Sequence, residues 1–266
     1  MSLVHHIIPK QQPDMKQLNQ CVLAMEGAKY EGRGEGTLYY WIDGKSTRGM
    51  DITMHDESIE IRNTVLSNHS DYQLTNNIVE ELLDQTQGVL LNEDREEVEK
   101  QPLLGDQDIT VKTLADCEMI QTLSQQHEDI AILGPKRKVH FGKRTHERFK
   151  SFKGETLKEK IFALMLKVNY EIPDYDYGQV VQAEDPSGEK KILQILTNKT
   201  NCIVDKYDYI LLYTGTENPI MITNQLLNTM LPSNWELVDE FTIIAPVTSR
   251  EEWNKLLRKT EPYNLF

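Results

Sequence analysis

The sequence predicts an α+β fold: mixed, largely antiparallel sheets with packed helices, set out as two similar lobes. Three observations carry this. Short segments such as "MDITM" and "SIEIR" alternate apolar and polar residues and are separated by turn-forming residues, the pattern of an antiparallel meander. Segments such as "YQLTNNIVEELL" repeat apolar residues three and four apart behind a helix-start signal, so they read as amphipathic helices lying on a sheet. Both kinds recur on either side of residues 150–155. That places an N-terminal α+β lobe, with the meander and its helix, at 1–150 and a C-terminal α+β lobe at 151–266.

In order along the chain, Asp14 is positioned to cap a first helix over residues 14–25, with Met15, Leu18, Val22 and Met25 on one face. Glycines at 27, 32, 34 and 36 then interrupt the pattern. Strands follow at 38–42, 50–54 and 59–62, joined by the turns "DGKS" and "HDES". Ser70 and Gln73 form a capping-box pattern for a helix carrying Leu74, Ile78 and Leu82, with Val79 and Leu83 beside them; it should cover the meander's apolar face. "NEDREEVEKQPLLGDQD" lacks periodicity and reads as an exposed loop or a short solvated helix. Residues 113–126 are helical, with Leu114, Cys117, Ile120 and Leu123 along one side, and "DIAILG" and "KVHFG" are short strands.

Beyond residue 155, Thr156 and Glu159 pattern as a capping box for a helix with too many apolar residues for one stripe, which makes it central and largely buried. "QVVQA" and "KKILQIL" flank the turn "DPSG" as a hairpin, and "YDYILLY" and "EFTIIAP" are continuous apolar runs suited to inner strands. Ser249 and Glu252 start the last helix, which carries Trp253, Leu256 and Leu257. No internal repeat is evident in the sequence.

The composition, 39% hydrophobic and 27% charged over 266 residues, suits a chain that buries a core. No apolar run approaches the roughly 20 residues needed to cross a bilayer, and "MSLVHHIIPK" lacks the marks of a signal peptide, so a cytoplasmic protein is expected. Cys21, Cys117 and Cys202 form no CxxC pair and read as small apolar residues in a reducing compartment. A net charge of -13 opposes whole-surface attraction to nucleic acid or to an anionic membrane.

One segment runs against that balance. "GPKRKVHFGKRTHERFK", residues 134–150, holds seven Lys and Arg against one acid. It is not a P-loop, because Gly142 and Lys143 are followed by Arg144 and no glycine stands five residues before Gly142. Phe141, Phe149 and Phe152 interleave with the basic residues and offer stacking surfaces for a nucleic acid, but the charge of the remaining chain opposes that partner. Lys136, Arg137, Lys138, His140, Lys143, Arg144 and Arg148 are therefore read as a charged edge strand and following turn. This strip either pairs with the acidic run Glu93, Asp94, Glu96, Glu97 and Glu99 or faces a partner.

"GRGEG" precedes a strand, whereas a dinucleotide fingerprint follows one, so it reads as a flexible turn. His5 and His6 fall near an end of the chain expected to be loose, "HERFK" lacks the second histidine of a zinc helix, and Asp174 and Asp176 lack the twelfth-position glutamate of a calcium loop. There is no nucleophile elbow. No catalytic residue, metal or cofactor is expected.

Ser46, Thr47, Arg48 and Gly49 before the second meander strand, Ile59 to Arg62 in the third, and Asp71 and Tyr72 at the helix start carry a resemblance. Over about residues 35–90 the chain resembles poorly characterised bacterial immunity-type proteins of interbacterial toxin systems. The resemblance implies a cytosolic protein that neutralises a toxin by covering a basic active-site surface, and it implies no catalytic residues. The leading expectation is thus a non-enzymatic protein-binding protein whose acidic surface steers a basic partner, such as a toxin. The rival is an enzyme or nucleotide-handling protein with a site assembled near His140, Lys143 and Arg144. A nucleic-acid binder using the basic strip ranks third.

Overall fold

A computed structural model describes residues 2–98, 104–184, 187–216 and 218–265. The chain is α+β with largely antiparallel sheets. It divides into two compact units, Met1–Glu171 and Ile172–Phe266, a later boundary than the 150–155 read from the sequence. The difference has a physical cause: the apolar helix after residue 155 packs into the first unit rather than founding the second.

The first unit begins with β1 (Leu3–Ile8), α1 (Met15–Leu23), β2 (Ala28–Gly34), β3 (Thr37–Ile42), β4 (Met50–Met54), β5 (Ile59–Asn63), α2 (His69–Thr86) and β6 (Val89–Leu91). The strands form one antiparallel sheet in the order β2-β3-β4-β5-β1-β6. Period-two alternation turns Tyr40, Met50, Ile52, Ile59 and Ile61 to one face, where α1 and α2 cover them with Leu18, Val22, Leu74, Ile78 and Leu82 in one core. Asp14 caps α1, its Oδ1 accepting the Lys16 and Gln17 N–H groups.

Three details depart from expectation. The residues at 5 and 6 are not loose, because β1 pairs with β5 on one side and β6 on the other. "GRGEG" largely belongs to an exposed edge strand with a register shift between Gly32 and Gly34, a position where glycine is tolerated. The cap of α2 lies earlier than Ser70: Asn68 Oδ1 accepts the Asp71 N–H, and the Asp71 carboxylate accepts the Asn68 N–H.

The unit continues with α3 (Asp106–Gln126), which starts a turn or two before residue 113, then β7 (Ile130–Leu133), β8 (Lys138–Phe141), α4 (Lys143–Phe149), α5 (Gly154–Leu166) and a π-helical turn, Lys167–Glu171. β7 and β8 form a two-stranded hairpin, and α3 packs against α4 and α5. The basic stretch is thus a strand followed by a helix, not a strand and a turn. Thr145 Oγ1 starts α4 by accepting the Gly142 N–H at 2.7 Å. α5 has no side-chain cap, so Thr156 and Glu159 lie inside the helix and not at its start.

The second unit comprises β9 (Gln179–Glu184), β10 (Lys190–Leu196), β11 (Cys202–Val204), β12 (Tyr209–Leu212), β13 (Ile220–Ile222), α6 (Asn224–Thr229), β14 (Glu236–Leu237), β15 (Ile243–Ala245) and α7 (Arg250–Thr260). β9 and β10 pair as a hairpin; Asp185 and Pro186 of its turn lie outside the described residues. The sheets are β13-β12-β10-β9, with β10 and β12 parallel, and β11-β15-β14. β12 and β15 are inner strands, as their apolar runs predicted. Ser249 caps α7, and Trp253 and Leu256 join Leu212, Ile222, Trp235 and Ile243 in a separate core. Among the described residues, no helix is long and apolar enough to cross a membrane.

Candidate functional site

Ser46, Thr47, Arg48, Gly49 and Asp71 meet at one corner of the first unit. Asp71 is fully buried at the start of α2. Its Oδ2 accepts the Arg48 and Asn68 N–H groups at 3.0 and 2.9 Å, its Oδ1 accepts the Gly49 N–H at 2.9 Å, and the Thr47 hydroxyl lies 3.0 Å from Oδ2. Burial raises the Asp71 pKa above the usual carboxylate range, and the surrounding donors limit that rise. Gly49 adopts φ 64°, and a Cβ there would lie 2.8 Å from the Tyr39 ring. Tyr39 donates to the Arg48 carbonyl, and the Arg33 guanidinium sits 3.3 Å above its ring while pairing with Asp51 at 3.2 Å. These groups are consumed by one another. Closed from solvent, Asp71 is a fastening for the 46–49 loop and is not placed to meet a substrate.

The acidic run is an ordered turn after β6. Asn92 builds it: its N–H donates to the Glu96 carbonyl and its Oδ1 accepts the Glu96 N–H, both at 2.9 Å. Arg95 takes a left-handed φ of 64°, and Leu91 bridges to Glu97. Glu93, Asp94, Glu96 and Glu97 are all exposed on this turn. Glu99 lies outside the described residues.

The basic strip is split by the fold. Lys136 and Lys138 are exposed and Arg137 is half-buried on the β7–β8 hairpin, while Lys143, Arg144 and Arg148 are exposed on α4. Lys136 Nζ lies 3.0 Å from Asp43 and faces the Tyr170 ring, and Lys150 pairs with Glu147. Those partners differ from the acidic run suggested by the sequence. His140 belongs to the strip in sequence only. Its side chain is 4% exposed, with Nδ1 2.8 Å from Asp129 Oδ1, so it does not share a surface with Lys143 and Arg144. Asn169 pins the hairpin turn: its Oδ1 accepts the Lys136 and Arg137 N–H groups at 2.9 and 3.0 Å.

The sequence reading missed a cleft of about 480 Å³ between α4 and α5. Arg148 reaches it from α4, Phe152 from the turn that follows, Lys160 and Ala163 from α5, and Lys167 and Glu171 from the π-helical turn. Lys160 Nζ lies 5.8 Å from the centroid of the half-buried Phe152 ring, and the Arg148 guanidinium 5.3 Å from that of Phe149. One signal in the sequence pointed here: Lys160 and Lys167, seven apart on an apolar helix, share a helical face with Ala163 and Leu164.

The cysteines are free; Cys117 and Cys202 are buried, with thiols pushed up by that burial to about 12 and about 11, which leaves them unreactive. Among the described residues, no group of three or more His, Cys, Asp or Glu side chains converges as a metal site. Compared with known proteins, the chain matches no family model, no curated protein and no solved structure.

Proposed function

We propose that this chain is a non-enzymatic, cytoplasmic protein-binding protein, and that the acidic turn after β6 docks a basic partner. The observation that carries the reading is the locked backbone of that turn. Asn92 holds residues 92–96 by hydrogen bonds in both directions and Leu91 bridges to Glu97, so the backbone that carries four carboxylates is not ordered at the moment of binding. A fixed acidic projection on a chain of net charge -13 steers a basic surface and raises its association rate. The toxin-neutralising role implied by the resemblance of residues 35–90 is one instance of this chemistry.

The test is affinity capture from the native host at about 50 mM and about 200 mM salt, comparing the natural chain with a Glu93→Lys, Asp94→Lys, Glu96→Lys variant. A basic protein retained by the natural chain at low salt, and lost from the variant, is the expected result. A partner held equally by both proteins, or held with no dependence on salt, removes the acidic turn from the reading.

A further inference from the structure

We infer that the cleft between α4 and α5 binds a nucleoside phosphate, either as a free nucleotide or as one residue of a single strand. The base lies against Phe152, and the phosphate sits among Arg148, Lys160 and Lys167. This goes beyond the protein-docking reading, which uses a different surface.

Shape, charge and apolar surface each contribute. The volume of about 480 Å³ falls within the range of small-ligand sites, and the walls are two helices joined by a short turn, so the cleft is already formed. Arg148, Lys160 and Lys167 approach from three separate elements, with one acid, Glu171, among the lining residues. Cation–phosphate hydrogen bonds are among the stronger polar contacts available. At the cleft itself three cations, Arg148, Lys160 and Lys167, stand against the one acid, Glu171, in a chain that is acidic as a whole, a balance that favours an anion.

The apolar surface selects the ligand. Phe152 presents a half-buried ring with the Lys160 ammonium 5.8 Å over its centroid, and the buried Phe149 and Leu164 line the same cleft. A planar base stacks on such a ring while its phosphate meets the neighbouring cations, a pairing used by proteins that hold unpaired nucleotides. Inorganic phosphate has nothing to place against the ring, and the Asp and Glu side chains of an acidic peptide use the cations but bring no aromatic ring to stack on Phe152. The sequence alone ranked nucleic acid last on net charge. The cleft restores the phosphate chemistry by gathering Lys160 and Lys167 beside Arg148, which net charge does not register.

The test is titration of the full chain with adenosine 5′-monophosphate, a fluorescent single-stranded oligodeoxythymidylate and inorganic phosphate, read by calorimetry and anisotropy. Binding of the nucleotide or the strand is expected, with Lys160→Glu weakening it by about tenfold or more and Phe152→Ser weakening it as well. A strand that binds at least tenfold tighter than the mononucleotide identifies single-stranded nucleic acid as the source; similar affinities identify the free nucleotide. In the strand case, log affinity against log salt should flatten by about 0.7 in Lys160→Glu, the loss of one phosphate contact. Lys160 is exposed, so that variant keeps its fold, which circular dichroism checks, even where Phe152→Ser does not. The inference is overturned if neither probe binds at millimolar concentration, if inorganic phosphate binds as tightly as the nucleotide, or if Lys160→Glu leaves binding unchanged.

Discussion

Asp71 shows how one buried charge can organise a corner. Three backbone N–H groups from two segments point at its two oxygens, so removing the carboxylate leaves several donors unpaired inside the protein. Asp71→Ala is expected to cost roughly 3 kcal/mol or more, read from the denaturation midpoint, and to loosen the 46–49 loop in amide exchange. A loss within about 0.5 kcal/mol would show that the corner is held by its apolar neighbours instead. His5 gives a pH prediction. Burial, helped by the charge of neighbouring His6, lowers its pKa from 6.5 to about 4, and the side chain is 6% exposed. The unfolded chain therefore binds a proton in this window that the folded chain refuses. The contribution of His5 is fully present above pH 6.5 and is lost as pH falls through about 4. The stability difference between the natural chain and His5→Leu should change by about 3 kcal/mol between those pH values; a difference independent of pH refutes the assignment.

Among the elements, the π-helical turn after α5 reaches back to fix the β7–β8 hairpin through Asn169. Asn169→Leu should leave the Lys136 and Arg137 N–H groups without their acceptor, destabilise the protein by about 2 kcal/mol and speed amide exchange at those two positions first. Uniformly faster exchange would instead mark a global effect. Elements with strong local patterns were legible in the sequence: the three central strands, the body of α2, the hairpin of the second unit and α7 with its Ser249 cap. Those that depend on distant partners were not. β1 is recognisable only once residues 59–63 and 89–91 lie beside it, because "LVHHII" has no clean alternation. α4 was hidden because its charged residues resemble a solvated turn, and its start is set by Thr145 folding back on Gly142.

At the scale of the whole molecule, each unit has its own core, one around Tyr40, Ile52, Leu74 and Ile78 and the other around Leu212, Ile222, Trp235 and Trp253. Residues 172–266 expressed alone should therefore unfold cooperatively in urea; a gradual, featureless transition would count against an independent second unit. The sequence by itself determined the α+β class, the acidic balance, the central strand and helix patterns and the local excess of base at 134–150, since each depends on residues close together in the chain. Tertiary structure decided where the units divide, which carboxylate fastens the 46–49 loop, and that the buried His140 faces Asp129. It also gathered Arg148, Phe152, Lys160 and Lys167 around one cleft. The physical reason is that periodicity records which face of an element is apolar but not what that face meets. The partner of a charge is set by packing between segments distant in sequence.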